Sequence, residues 1–179
     1  MSDFTIGPAA ADEVALLPGI ERRAARLFPP EVLADADPDD VTEVGVYAEA
    51  QRAGRVLVAR AGSGRVVGFA HLEWVEGVVH LEELDVEPDF GRRGIGRRLV
   101  EAACAWAEAQ GSERITLSTF RDVPWNGPFY ARMGFEPIPD EMLGEGLRVL
   151  REHEAEDGLD PAKRFMMSRR LGRETPGRP

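Results

Sequence analysis

Cysteine, lysine and long apolar runs are all scarce in this sequence. Cys104 is the only cysteine among 179 residues, so no disulfide can form within the chain and nothing points to an oxidising compartment. No apolar run approaches the roughly 18 residues that span a bilayer, and residues 1–6 lack the basic-then-apolar pattern of an export signal. We therefore expect a cytoplasmic protein without a membrane partner.

Basic residues are fewer than acidic residues. Lysine and arginine total 22 against 32 aspartates and glutamates, which gives a formal net charge of −10 at pH 7. A balance this acidic argues against a chain whose main role is to bind nucleic acid. Hydrophobic residues make up 43% and charged residues 30%, as in an ordinary globular domain. We expect one domain over residues 1–171 and a loose tail at 172–179.

The periodicity of apolar residues predicts an α/β (α+β) chain. Most strands follow one another through short turns, which predicts antiparallel pairing. A helical pattern at 94–110 separates two strands, and a crossover of this length places those strands parallel. The predicted strands are 4–7, 55–60, 65–75, 78–86, 113–119 and 163–171, with another beginning at 134–136; the predicted helices are 12–28, 41–52, 94–110, 126–133 and 140–154. The acidic, proline-bearing segment that begins at Phe28 is expected to be a loop.

A glycine- and arginine-rich segment after Pro88 predicts a site for an anion. Four arginines lie within seven residues, at positions 92, 93, 97 and 98, around Gly94 and Gly96 at the start of the long helix. The first turn of a helix has unpaired N–H groups that suit a phosphate, and glycine lets the phosphate approach the backbone. The spacing matches neither a Walker P-loop nor the dinucleotide fingerprint. The alternative is a tight turn with solvated arginines.

Three segments carry a resemblance to a known family. They are Leu81-Glu-Glu-Leu-Asp-Val86, Val86-Glu-Pro-Asp-Phe-Gly-Arg-Arg-Gly-Ile-Gly-Arg-Arg-Leu99 and Phe129-Tyr-Ala-Arg-Met-Gly-Phe135. In this order they resemble the strand, the acyl-CoA-binding loop and the tyrosine segment of the GNAT superfamily of N-acyltransferases, over residues 56–136. Gly91 departs from the pattern, since the family often has Gln or Arg there. The family's asparagine usually lies seven residues before the tyrosine, where this chain has Val123, whereas Asn126 lies four before it.

The resemblance implies a GNAT fold and an acetyl-CoA-dependent enzyme without a metal. The sheet would have six to seven strands, mostly antiparallel and flanked by helices, with the fourth and fifth strands splayed. The N–H of Leu84 would face the thioester carbonyl, Val86 would bond the pantetheine arm, and the amides of residues 92–97 would hold the pyrophosphate. The implied cofactor-binding residues are Leu84, Asp85, Val86, Arg92, Arg93, Gly94, Ile95, Gly96, Arg97 and Asn126.

Two residues are candidates for proton transfer. An alkylamine has a pKa of about 10 and must lose a proton before it attacks. Glu82 is the candidate base, because it lies four residues before Val86, as in polyamine-acetylating members of the family. Glu83 and His80 compete with it, since a bulge would change which side chains face the cleft, and Glu82 could also be a solvated strand residue. Tyr130 matches the family's acid tyrosine, which protonates the CoA thiolate; the alternative is core packing.

The acceptor is expected to be a primary amine. The regions 28–43 and 137–163 are acidic, which favours a cationic small molecule, such as a polyamine or amino sugar, or a peptide amine; solvated acidic loops are the alternative. Trp74 and Trp125 either line an acceptor pocket or pack in the protein. Cys104 is expected to be a buried apolar residue, and the histidines lack metal-ligand spacing. A non-catalytic acyl-CoA sensor and a homodimer remain open.

Overall fold

Seven strands form one mixed sheet in the computed structural model, which describes residues 4–33 and 35–172. Their order across the sheet is β1-β2-β3-β4-β5-β7-β6. The strands are β1 (Phe4–Pro8), β2 (Val56–Ala61), β3 (Val66–Val75), β4 (Val78–Val86), β5 (Arg114–Phe120), β6 (Glu136–Pro137) and β7 (Arg164–Arg170). The helices are α1 (Leu17–Ala25), α2 (Pro30–Leu33), α3 (Val44–Arg52), α4 (Ile95–Ala109), α5 (Gly127–Arg132) and α6 (Glu145–Glu156).

Helices cover both faces of this sheet. On one face, α4 buries its apolar side against the centre of the sheet, with Leu99 and Ala103 fully inaccessible to solvent. On the other face, α1 and α3 cover β2 and β3 through a separate cluster that includes Ile20, Tyr47 and Phe69. Together the two clusters remove most of the apolar sheet surface from water, which is the dominant favourable contribution to folding.

Strands β4 and β5 are the only parallel neighbours in the described sheet, as the crossover predicted. Their pairing is short: only three residues pair, from Val79 with Ile115 to Leu81 with Leu117. Beyond Leu81, β4 continues along β3 and β5 continues along β7. The two strands therefore diverge, which confirms the predicted splay and leaves residues 82–86 without a strand partner on one side.

A bulge in β4 decides which side chains face each side of the sheet. His71 pairs with Glu83 and Leu72 pairs with Leu81, so Glu82 is an extra residue on β4. Leu81 and Leu84, three residues apart, consequently both pack toward α4. Strict alternation would have sent one of them to the opposite face. The bulge thus leaves the polar residues of β4 on the face that carries α1 and α3.

Two segments differ from the predicted elements. The expected loop after Phe28 contains the single turn α2, which begins with a proline at the first helical position. The helix predicted for 140–154 is divided into a 3₁₀ turn and α6. Gly146 permits α6 to pack closely, because a Cβ there would lie 2.7 Å from Cγ1 of Val75. The predicted tail lies, apart from Gly172, outside the described residues, and the single domain stays a prediction.

Candidate functional site

The segment between β4 and α4, residues 87–97, is called the phosphate loop below. A 3₁₀ turn follows β4, and then Arg92 (φ +59°) and Gly94 (φ +82°) adopt left-handed backbone conformations before α4 begins at Ile95. Such alternation of backbone conformation turns successive N–H groups toward a common point and makes an anion-binding concavity. The guanidinium of Arg93 lies over the Phe90 ring at 4.9 Å and donates to the carbonyl of Asp89. The loop therefore offers both amides and cations to an anion.

A buried carboxylate fixes the base of the phosphate loop. The side chain of Glu87 is only 5% exposed and accepts two hydrogen bonds from Arg23 of α1, at 2.9 and 2.8 Å. Arg65 adds a third bond at 3.1 Å, and the Arg23 hydrogen bonds hold the pKa of Glu87 below its usual range. Paired bonds of this kind are geometrically specific. The contacts tie the loop to α1, and no sequence signal marked Glu87 for this role.

The slot between β4 and β5 opens beside the phosphate loop. Val86 ends β4, and its Cγ2 would lie 3.9 Å from a Cβ on Gly96. Gly127 begins α5 against the end of β5, where a Cβ would meet the carbonyl oxygen of Arg121 at 2.7 Å. The backbone of residues 82–86, which has no β5 partner, leads directly into the phosphate loop, and the loop leads into α4. This arrangement fits a slender chain that ends in a diphosphate.

Carboxyl groups crowd the face of β4 that carries α1. Glu83 and Asp85 lie near Glu21, which accepts hydrogen bonds from Thr42 and from the hydroxyl of Tyr47. Burial, and then the charge of Glu21, raises the pKa of Asp85 to about 8. Burial and the neighbouring carboxyls also raise the pKa of Glu83 well above its usual range. Oδ2 of Asp85 is buried without a hydrogen-bond partner among the described residues. This face is suited to a cation.

Glu82, the bulged residue, is the most accessible of the β4 carboxyls. Its side chain is 37% exposed, and desolvation followed by the charge of Glu154 raises its pKa. His80 lies 3.8 Å away but is buried, and its Nδ1 is 2.8 Å from Oγ1 of Thr116. Burial lowers the pKa of His80 to about 4, so its imidazole is neutral at pH 7. The geometry favours Glu82 over His80 as an accessible proton acceptor.

An ion pair from the far side of the slot faces these carboxyls. Arg164 of β7 donates to both carboxylate oxygens of Glu154 on α6, at 2.6 and 3.1 Å. Ser118 of β5 donates to Glu154 at 2.8 Å and accepts from Arg164 at 3.1 Å. The charge of Arg164 lowers the pKa of Glu82 and of Glu83, against the larger effect of burial. The network joins α6 to the sheet beside the site.

Tyr130 is packed among aromatic side chains at the other wall of the slot. It contacts Phe129 and Phe135, with ring centroids 5.1 and 5.7 Å away. Burial, followed by the charges of Asp85 and Glu83, raises the pKa of its hydroxyl. The hydroxyl is therefore protonated at neutral pH and close enough to sense the β4 carboxyls. Tyr130 therefore packs in the core and also lies near the β4 carboxyls.

The remaining candidates occupy different surroundings. Asn126 precedes α5, where its carbonyl accepts from the N–H of Tyr130. Trp125 stacks near Phe28 at 5.9 Å, whereas Trp74 lies 6.4 Å from Trp106 of α4, on the face opposite the carboxyls. Trp125 is thus the tryptophan that remains a candidate for an acceptor pocket.

Cys104 is buried, as predicted, and burial raises the pKa of its thiol, which disfavours the nucleophilic thiolate. Within residues 4–33 and 35–172, no three or more histidine, cysteine or acidic side chains are grouped as metal ligands would be. In the same residues, every helix is too short or too polar to cross a membrane.

Two curated relatives share part of this sequence. An uncharacterized N-acetyltransferase of Methanocaldococcus jannaschii is 30% identical over 96 residues, covering 50% of this chain and 42% of that protein. A mycothiol acetyltransferase of Frankia casuarinae is 28% identical over 161 residues, covering 80% of this chain and 46% of that protein. The chain thus spans less than half the length of either relative.

Solved structures show the same fold. The structure of N-acetylglutamate synthase from Neisseria gonorrhoeae, complexed with coenzyme A and N-acetyl-glutamate, aligns with a TM-score of 0.73 at 17% identity, over 97% of this chain and 36% of that one. The sequence profile of the acetyltransferase (GNAT) family matches residues 21–135. This match covers more than half of the chain and confirms the resemblance seen in its motifs: the protein belongs to the GNAT family, a family of acyl-CoA-dependent acyltransferases.

Proposed function

We propose that the protein transfers an acetyl group from acetyl-CoA to a primary amine, with a cationic acceptor favoured. The observation that carries the proposal is the slot between β4 and β5, which leads from the phosphate loop to the β4 carboxyls and Tyr130. The diphosphate of CoA would lie in the phosphate loop and its pantetheine arm in the slot. Its thioester would then lie beside the β4 carboxyls and Tyr130. Acetyl-CoA would supply the activated acetyl group as its thioester.

The cofactor would be held mainly by the backbone. The amides of residues 92–97 would bind the pyrophosphate, assisted by the side chains of Arg92, Arg93 and Arg97. Val86 would bond the pantetheine arm as an added strand does, on the edge where β5 has diverged. Asn126 precedes α5, where its backbone carbonyl accepts from Tyr130; its side-chain amide makes no capping hydrogen bond and would contact CoA.

Glu82 would remove the proton of the acceptor amine. Its raised pKa makes its carboxylate a stronger base than an ordinary surface glutamate, and its exposed fraction gives an amine or a bridging water access. Glu83 is the competing base, because it lies on the same face of β4 and its pKa is also raised. His80 is a poorer candidate, since its side chain is buried and burial lowers its pKa to about 4, which makes it a weak base.

Leu84 and Tyr130 would stabilise the charge that develops during transfer. The N–H of Leu84 would donate to the thioester carbonyl, an interaction worth about 3–4 kcal/mol in comparable acyl transfers. The Tyr130 hydroxyl would donate to the departing sulfur. The raised pKa keeps the hydroxyl protonated; as the C–S bond breaks, Tyr130 would give this proton to the CoA sulfur and regain one from solvent.

The acceptor is proposed to be cationic because of the carboxyls around its approach. Glu21, Glu83 and Asp85 face one another with too little solvation to ionise independently, and a bound ammonium would relieve their repulsion. Polyamines, amino sugars and basic peptide ends share this chemistry. Cytoplasmic location, a homodimer and the absence of nucleic acid and membrane partners stay predictions.

Release of CoA thiol from acetyl-CoA over a panel of amines tests the proposal. We expect turnover with cationic amines, weaker turnover with neutral amines of matched size, and a kcat/KM for the cations that falls as salt rises. Equal turnover of both classes, insensitive to salt, would remove the cationic preference alone. CoA binding by calorimetry without thiol release from any amine would indicate an acyl-CoA sensor.

A further inference from the structure

Three aromatic side chains from separate segments meet at the end of β5. Phe28 follows α1, Phe120 is the last residue of β5, and Trp125 lies before α5. The ring centroid of Phe28 is 5.2 Å from that of Phe120 and 5.9 Å from that of Trp125. Phe120 is buried, Phe28 is partly buried and Trp125 is 47% exposed. These three residues, called the aromatic patch below, therefore present ring surface to solvent.

The aromatic patch lies on the same face of the sheet as the β4 carboxyls. Ile115 and Leu117 of β5 pack toward α4, so the alternate residues Thr116 and Phe120 point to the opposite face. His80 of β4 contacts Thr116 on that face, with 2.8 Å between Nδ1 and Oγ1. Phe120 follows on the same face, beyond the point where β5 diverges from β4. The patch thus borders the slot on the side from which an acceptor would approach the carboxyls.

One guanidinium joins the aromatic patch to the candidate catalytic groups. Arg164 is the partner of Phe120 in the β5–β7 register, and its guanidinium lies over the Phe120 ring, 4.8 Å from the centroid. The same charge lowers the pKa of Glu82 and of Tyr130, against the larger effect of burial. Arg164 therefore lies near both the patch and the proton-transfer candidates. A ligand whose amine binds at Glu82 can extend past Arg164 to the patch.

The two acidic segments expected to flank the acceptor, 28–43 and 137–163, contact each other beside the aromatic patch. The first segment begins with Phe28 of the patch. Within it, the N–H of Asp35 donates to the carbonyl of Gly158 in the second segment, at 3.3 Å. Their combined negative charge attracts a cation to this end of the sheet and disfavours an anionic acceptor.

Rings beside carboxyls are suited to recognise two different parts of one ligand. Sites for small molecules are lined mainly by apolar and aromatic side chains, with a few polar groups that fix orientation. An aromatic ring is stabilised by burial of its area and by offset or edge contact with another ring. The carboxyls would hold an ammonium group, and the patch would cover an apolar group attached to it. A polyamine or an amino sugar has no group that uses the patch.

We propose that the acceptor is an amine with an aromatic or similarly bulky apolar group, which Phe28 and Trp125 bind while the amine lies at Glu82. The inference rests on the proposed function, because it assumes that the amine is acetylated beside Glu82. It narrows that function: charge alone would admit polyamines and amino sugars, whereas the aromatic patch favours an arylalkylamine. Phe28 and Trp125 then determine specificity and take no part in proton transfer.

Thiol release with two amines of equal charge and different size tests the inference. The pair is 2-phenylethylamine and propylamine, at saturating acetyl-CoA. We expect kcat/KM to be about 10- to 100-fold higher for 2-phenylethylamine, the range that apolar contacts give in a specific pocket. Trp125→Leu and Phe28→Leu should each reduce this ratio by about tenfold, mainly through a higher KM for 2-phenylethylamine. Neither should change the kcat/KM of propylamine by more than about twofold, because it does not reach the patch.

Trp74→Leu is the matched control, because Trp74 has almost the same exposed fraction, 44%, and lies against Trp106 of α4 on the opposite face. It should leave the ratio unchanged. Binding of 2-phenylethylamine to the CoA complex should change the tryptophan emission of Trp74→Leu and not that of Trp125→Leu. Thermal midpoints identify any variant that fails to fold, and Trp125, the more exposed patch residue, provides the safer substitution.

Short peptides that begin with phenylalanine or alanine form a second series, which shows whether the ring belongs to a small amine or to a peptide terminus. A preference for the ring in either series supports the inference. Equal kcat/KM within both series, or a preference that survives both patch substitutions, would overturn the inference while acetyl transfer stands. Absence of thiol release with every amine would overturn this inference and the proposed function together.

Discussion

Three carboxyl groups on β4 are expected to set the pH dependence of the candidate site. Glu82, Glu83 and Asp85 belong to one short stretch of strand and all have raised pKa values, with burial as the leading cause. The resemblance to the GNAT superfamily already implied a base at Glu82, with Glu83 and His80 as competitors. What the sequence could not provide was their common orientation, because it depends on the bulge between Leu81 and Glu83.

Substitution of Glu82 by glutamine should change the pH dependence of the rate. The raised pKa of Glu82 moves the rising limb of kcat/KM to higher pH than an ordinary glutamate would give. Glu82→Gln cannot accept the proton, so we expect a loss of about 10²-fold in kcat and a flattened limb. Stopped-flow or steady-state thiol release between pH 5 and 10 would measure both.

Glu83→Gln separates the two candidate bases. If Glu82 is the base, Glu83→Gln should raise the KM of a cationic amine and preserve the rising limb. An intact limb in Glu82→Gln combined with a flat one in Glu83→Gln would assign the proton transfer to Glu83 instead. Glu108→Gln, an exposed position on α4, should alter neither quantity.

Removal of the Tyr130 hydroxyl should slow the chemical step. Tyr130→Phe keeps the ring contacts with Phe129 and Phe135 and deletes the donor to the departing sulfur. We expect kcat to fall by about 10²-fold, with the calorimetric affinity for acetyl-CoA and the thermal midpoint nearly unchanged. A kcat equal to that of wild type would limit Tyr130 to core packing.

At the level of elements, local patterns predicted most of the fold. Each predicted strand and helix has a counterpart, and the parallel crossover through α4 follows from its length. Contacts between distant segments could not be predicted from the sequence. No sequence pattern marks Glu87, because its partner Arg23 lies 64 residues away on α1. Glycine within a helix is destabilising relative to alanine, yet Gly146 permits the approach of α6 to Val75.

The two ends of α4 offer a matched pair of glycines. Gly94 and Gly111 both have φ +82°, and a Cβ at either would enter open space. Alanine at either position should cost about 1–2 kcal/mol of left-handed strain, which lowers the thermal midpoint by about 3–6 °C. Only Gly94→Ala adds a methyl group beside the phosphate loop, so only it should raise the KM for acetyl-CoA severalfold.

The comparison of those two variants isolates cofactor binding from stability. Differential scanning calorimetry gives the shared loss, and steady-state kinetics with acetyl-CoA gives the difference between them. Equal KM values in Gly94→Ala and Gly111→Ala would show that the first turn of α4 does not bind the pyrophosphate.

Across the whole molecule, charge is divided between two surfaces. The proposed acceptor side carries the β4 carboxyls and Glu21, whereas a groove along α4 and α5 is lined by Arg97, Arg132 and Arg169 together with Glu101. Arginines adjacent in sequence, at the phosphate loop, were recognisable as an anion site. The proximity of Arg132 and Arg169 could not be predicted, because 36 intervening residues separate them in the chain and only the fold places them in one groove.

The free energy of unfolding should depend on pH, because Asp85 is buried near another carboxyl group. The pKa of Asp85 is about 8 in the folded protein and about 3.9 in an unfolded chain. Between those values the unfolded chain releases the proton that the folded protein retains, so rising pH favours unfolding.

Asp85→Asn cannot titrate, and its thermal midpoint relative to wild type should increase from pH 4 to pH 8. One unit of pKa difference corresponds to about 1.4 kcal/mol, or about 3–5 °C at this size. Asp122→Asn, at an exposed carboxyl, should show no such trend; a constant difference between Asp85→Asn and wild type across this range would mean that Asp85 ionises freely in the folded state.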